Sequence, residues 1–105
     1  AVEAAAFSGF FRHFHQILVS GSRLTPINRL NKAAVTCGYE TIKHHVASLP
    51  ADLDSYKQAF PVEKFPPIVS SFLTIGEDSG NLEEMTLYLA SWFEAQLEDS
   101  LARAL

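Results

Sequence analysis

Four histidines, one cysteine and a short run of glycines and acids are the residues of this chain best suited to chemistry. His13 with His15, and His44 with His45, are possible metal ligands, but on a helix spacings of two and one turn the imidazoles apart. A zinc-binding helix presents two ligands on one face, as an i, i+4 pair does, so solvated or partly packed histidines are the reading. Asp52, Asp54, Glu83 and Glu84 lack the loop spacing of a calcium hand and read as caps and solvated faces, with a weak divalent-ion site assembled by folding left open. Cys37 has no adjacent base and Ser79 lies in no nucleophile elbow, which leaves covalent catalysis without its parts. The turn from Gly76 to Asn81 has the glycines of a phosphate loop, yet Glu77 and Asp78 repel phosphate and no Lys follows. No residue is therefore assigned to catalysis, a cofactor or a metal, and the chain reads as a non-enzyme.

The elements around these residues all read as helices. Phe7, Phe10, Phe11, Phe14, Ile17 and Leu18 recur at spacings of three and four, which predicts a first helix over about Glu3 to Ser20, ended by Gly21. Thr25-Pro26 supplies an N-cap and a proline at the first helical position, opening a second helix to Cys37 with Ile27, Leu30, Ala34 and Val35 inward and Gly38 as a left-handed cap. A third helix is expected from Tyr39 to Leu49 and a short fourth from Ala51 to Phe60, bracketed by Pro50 and Pro61. The fifth starts at Pro66-Pro67 and stops near Ser79, with Gly80 beyond. Asn81 followed by Glu84 matches a capping box, and Leu82, Met85, Leu89, Trp92 or Phe93, Leu97, Leu101 and Leu105 carry a long sixth helix. Short connections and no alternating pattern predict an all-α fold, a compact antiparallel six-helix bundle forming one domain over residues 1–105.

Composition narrows the function classes. Of 105 residues 48% are hydrophobic and 19% charged, so the exterior is short of charge, as happens where a partner covers part of it. The net charge of −4 and eight scattered Lys and Arg speak against nucleic acid and against a polybasic membrane patch. One cysteine forms no internal disulfide, which fits a reducing compartment. No apolar run approaches the ~20 residues of a bilayer span, and a chain opening Ala1-Val2-Glu3 reads as a soluble piece of a longer protein.

Three stretches carry a resemblance. Phe11-Arg12-x-Phe14-x-x-Ile17-Leu18-x-Ser20-Gly21-x-x-Leu24 is similar to an opening F-x-R-x-L-x-x-L-L-x-A/S-G-V-P-L pattern. Phe65-Pro66-Pro67 with Ile68 and Val69, and Gly76-Glu77-x-Ser79-Gly80-x-Leu82 through Trp92-Phe93-Glu94, are similar to F-P-P and G-E-x-S-G-x-L followed by Y-Y-E. Together these resemble the type II secretion system F family, the inner-membrane platform proteins of bacterial secretion and type IV pilus machines. Arg23 stands where the family usually has proline, and Ser48 to Leu53 lacks the usual glycine, so the chain resembles a divergent member.

The resemblance implies a non-catalytic cytoplasmic domain at the bacterial inner membrane, with Leu105 shortly before a membrane span. It implies as partners the cytoplasmic assembly ATPase, other inner-membrane assembly proteins and further copies of the chain. Phe11, Gly21, Leu24, Phe65, Pro66, Pro67, Gly76, Glu77, Ser79, Gly80, Leu82 and Glu94 are the motif residues, structural or interfacial in role. Apart from the resemblance, a small soluble regulatory or ligand-binding bundle is the alternative. Two expectations concern surfaces. Glu77 near a helix C-terminus needs compensation, from an Arg or Lys of the fold or from a neighbouring protein, and Phe10 with His13 could face a second protomer in an isologous dimer.

Overall fold

The computed structural model describes residues 2–104 and contains five helices: α1 (Val2–Val19), α2 (Pro26–Cys37), α3 (Glu40–Ala47), α4 (Pro67–Ser79) and α5 (Leu82–Ala104). No strand occurs among the described residues. The expected Leu105 position lies outside them.

The polypeptide punctuation accounts for most helix ends. Thr25 Oγ1 accepts the Asn28 amide with Pro26 beginning α2, and Gly38 closes that helix at φ 76°. Pro67 opens α4 and Gly80, at φ 68°, ends it. Asn81 caps α5 differently from a reciprocal capping box: its carbonyl accepts the Met85 amide while its side-chain amide donates to the Glu84 carboxylate at 2.6 Å.

The expected fourth helix is absent, so the six-helix bundle is corrected to a helical globule of five. Residues 48–66 run as turns and bends. A helix over Ala51–Phe60 would need the Tyr56 amide to bond back to Asp52, but that amide donates instead to Glu77 Oε1 at 2.6 Å. The segment settles for single i, i+3 turns, Leu53 to Pro50 and Ala59 to Tyr56, between two prolines that forbid extension either way.

Burial is centred on α1, which packs against both α2 and α5; α5 also packs on α4, and α2 on α3. Phe7, Phe10, Phe11 and Phe14 are all essentially inaccessible, each ring within 6 Å of at least one other aromatic ring. Phe7 alone meets Phe11, Phe60, Phe65 and Phe93, edge-on or offset, arrangements each contributing about 0.5–1.5 kcal/mol beyond area burial. Phe10 is thus core, against Phe60 and Phe11, and does not face a second protomer; the connecting segment has folded over that side of α1 and covered it. Val35 is likewise 67% exposed and not inward as expected; the buried face of α2 is Ile27, Leu30, Ala33 and Ala34, a three-and-four spacing that leaves Val35 off the stripe. Beyond Phe93, α5 leaves the core and is mostly exposed, and the molecule measures 44 × 28 × 27 Å.

Candidate functional site

The corner where α4 turns into α5, together with the segment it grips, gathers more of the singled-out residues than any other place. Gly76 is buried on the inner face of α4, and a Cβ there would lie 3.0 Å from Leu82 Cα and 3.1 Å from Met85 Cγ. Such contacts are tighter than a Cβ ordinarily makes and would push Leu82 and Met85 aside by a few tenths of an ångström, so glycine is what lets the two helices meet this closely. Four residues on, Gly80 adopts a left-handed conformation with open space around it, and the Asn81 amide donates to the Gly76 carbonyl at 2.7 Å. Those bonds take up carbonyls that the end of α4 would leave unpaired. Leu82 then packs half-buried over Gly76.

Glu77 faces outward from this corner onto residues 48–66. Its Oε1 accepts both the Ser55 hydroxyl at 2.8 Å and the Tyr56 amide at 2.6 Å. The compensation expected for this acid therefore comes from a hydroxyl and a main-chain N–H of the same chain; its neighbour Asp78 takes the lysine, pairing with Lys57. Tyr56, held at its amide, buries its ring against Phe14 and receives Arg29 Nη1 at its hydroxyl, 3.3 Å away. Arg29 Nη2 donates to the Ser22 carbonyl at 2.7 Å, while its Nε is buried without a partner. Leu18, Arg29, Glu77, Asn81 and Glu83 wall an open cleft of about 570 Å³ beside the corner.

The electrostatics follow from these contacts. Burial pushes the Tyr56 phenol above its usual range, opposed by the Arg29 guanidinium and assisted by the Glu77 charge. The Asp78 carboxylate holds the Lys57 ammonium above its usual range, through their hydrogen bond and attraction.

The remaining motif residues serve elsewhere. Phe11 is core, Gly21 ends α1 in a left-handed conformation at φ 71°, and Leu24 is half-buried beyond it. Phe65 sits against Phe7, Phe60 and His45, and Pro66 and Pro67 lead directly into α4. Glu94 pairs with Arg12, joining α5 to α1 and bringing the first and last motif stretches into contact. Ser79 donates its hydroxyl to the Ile75 carbonyl at 2.6 Å, a bond within its own helix.

The histidines occupy separate environments. His44 lies 3.4 Å from Glu40 on the surface, His15 Nδ1 donates to the Glu83 carbonyl at 2.8 Å, and His45 Nε2 donates to the Ala59 carbonyl with its ring edge-on to Phe65. Cys37 donates its thiol to the Ala34 carbonyl. Among the described residues no three His, Cys, Asp or Glu side chains converge to hold a metal ion.

Sequence reasoning placed Tyr56 on a helix, overlooked Arg29, Ser55 and Lys57 at the corner, and read Asp78 only as repelling phosphate. One signal was present: an acid near a helix end with no basic residue within a turn must find its partner at long range. Nothing in spacing names a partner 21 residues away. Chemically, the corner is a brace of hydrogen bonds, hydroxyl, amide and carboxylate, suited to holding one surface shape. Set against family models, curated proteins and solved structures, the chain matches none of them.

Proposed function

We propose that this chain is a non-catalytic cytoplasmic docking domain of an inner-membrane platform protein, of the kind that serves type II secretion or type IV pilus assembly. In this role it couples the cytoplasmic assembly ATPase to pilin assembly in the bilayer. A helical block with a braced corner transmits displacement because its parts do not slide past one another, and the energy comes from the ATPase.

What supports the reading is that four of the five residues of the Gly76-Glu77-x-Ser79-Gly80-x-Leu82 likeness, all but Ser79, have a physical task at one corner. Gly76 admits Leu82 and Met85, Gly80 supplies the left-handed turn, and Glu77 fastens residues 55 and 56. The motif is thus a device for shaping a surface. Among the described residues no helix is long and apolar enough to cross a membrane, so the anchor of such a platform protein would lie outside them.

The test is direct binding between the 105-residue chain and a purified assembly ATPase of the type II secretion or type IV pilus class from the same organism. Saturable binding, with no nucleotide turnover by the chain itself, is the expected result. Absence of binding, combined with normal secretion or piliation after deletion of the segment from its parent, would overturn the proposal.

A second reading is a small regulatory or ligand-binding bundle, favoured by one cavity. Ala6, Phe7, Tyr39, Ile42 and Phe65 line a mostly apolar crevice of about 260 Å³ between the start of α1 and α3. Saturable uptake of a small apolar ligand, lost in Tyr39→Ala, would move the balance to this reading.

A further inference from the structure

Charge is divided unevenly between the two halves of the fold. Between Pro66 and Ala102 the chain has seven Asp and Glu residues and no Lys, Arg or His, whereas residues 1–64 hold seven of its eight Lys and Arg. Folding gathers the acidic stretch into a single unit, the α4–α5 hairpin. Some of its carboxylates are neutralised: Asp78 by Lys57, Glu94 by Arg12 and Asp99 by Arg103. Glu83, Glu84 and Glu98 have no ion-pair partner among the described residues.

The same hairpin exposes large apolar side chains. Ile75 is 52% exposed, Leu87 42%, Tyr88 51% and Leu101 58%. A shallow depression of about 280 Å³ is walled by Glu84, Met85, Leu87, Tyr88 and Ser91. The Tyr88 ring stacks on Phe72 of α4 with centroids 4.9 Å apart, which carries the apolar surface across from one helix to the other. An apolar strip with carboxylates at its edge and no cation on its own two helices before Arg103 is a specific kind of surface.

We propose that the outer face of the α4–α5 hairpin docks a cationic amphipathic helix of another protein, its Leu or Phe stripe on Tyr88 and Leu87 and its Lys or Arg flanks on Glu84 and the neighbouring acids. The proposal extends the docking reading above and rests on it, adding the face and the chemistry of the partner. Charge complementarity selects this occupant. An isologous contact with a second copy would set acid against acid, and anionic lipid or nucleic acid would be repelled. A helix with apolar residues at i, i+3, i+4 and i+7 and basic flanks meets both features at once.

The test uses the 105-residue chain and two synthetic peptides of the same Lys and Leu content, one with its Leu residues on a single helical face and one scrambled. Binding is read by fluorescence anisotropy and mapped by amide chemical shifts. The amphipathic peptide should bind the more tightly, weaken with added salt, and shift the amides around Ile75, Leu87 and Tyr88. Tyr88→Ser and Glu84→Lys should each weaken it, the double variant by at least about tenfold, while each variant keeps the helical circular dichroism and cooperative unfolding of the parent chain. Equal binding of both peptides, shifts centred on other elements, or no binding would overturn the proposal. A chain that still binds the assembly ATPase after Tyr88→Ser and Glu84→Lys loses this face as the docking site and keeps the docking function.

Discussion

Glu77 Oε1 accepts the main-chain N–H of Tyr56 at 2.6 Å across 21 residues of sequence, so a side chain at the end of one helix determines that another segment is not helical. The same oxygen takes the Ser55 hydroxyl. Residues 48–66, long for a segment without regular structure, are thereby held in one shape, with Tyr56, Ala59 and Phe60 driven into the core.

Glu77→Ala removes a charged acceptor from a main-chain amide and a hydroxyl. Hydrogen bonds to charged groups contribute about 1.5–3 kcal/mol each, and the half-exposed site draws the expected loss to about 2 kcal/mol. Ser55→Ala, which removes only the weaker partner, should cost about 0.5–1.5 kcal/mol. Urea unfolding measures both; a Glu77→Ala chain as stable as the parent would show that the carboxylate does not hold the segment.

Amide hydrogen exchange provides an independent check. Tyr56 lies outside every helix, yet its N–H, held by Glu77, should exchange far more slowly than that of Gln58 two residues on. In Glu77→Ala that protection should disappear while the α1 amides keep theirs.

Gly76 and Gly80 are glycines for different reasons, and substitutions separate them. Gly80→Ala meets open space and costs only the left-handed conformation, about 1–2 kcal/mol, and Gly80→Asn should recover part of it. Gly76→Ala has ordinary helical backbone but drives a methyl to 3.0 Å from Leu82 Cα, an overpacking expected to cost about 1–3 kcal/mol, and Asn there should be worse. Rescue by Asn at position 76 but not at 80 would reverse the assignment.

Stability should fall at alkaline pH. Tyr56 and Lys57 both hold their protons more tightly in the folded chain than at their ordinary values of 10.0 and 10.5. A raised folded pKa means that the contribution is complete below the unfolded value and is lost as pH rises through the folded one. Denaturation curves collected from pH 8 to 11 should therefore begin to weaken near pH 10, and Tyr56→Phe should flatten the part of that decline owed to the phenol. An unchanged slope in Tyr56→Phe would show that burial does not perturb this tyrosine.

The helix ends were legible wherever a local rule decides them: Thr25-Pro26, Gly38, Pro67 and Gly80 each act within a few residues of sequence. The motif corner was legible too, since its glycines and acid sit within seven residues. Ala51–Phe60 was not, because its local preference for a short helix is overridden by a bond to Glu77, and nothing in its own sequence records that bond. Phe10 was misread for a related reason. Periodicity marks one stripe of a helix as buried, but α1 is enclosed on several sides once residues 48–66 close over it. The charge division exploited by the α4–α5 face becomes meaningful only when α4 and α5 are seen as one unit.

The most direct measurement of the proposed docking function is in-cell photocrosslinking of the intact parent protein, with the reactive residue placed at Gln16 on α1, Ile75 on α4 and Leu87 on α5, and adducts identified by mass. Capture of the cytoplasmic assembly ATPase or of inner-membrane assembly proteins from at least one of these positions is the predicted result. Adducts confined to metabolic enzymes or regulators, with a parent protein that fractionates away from the membrane, would contradict it.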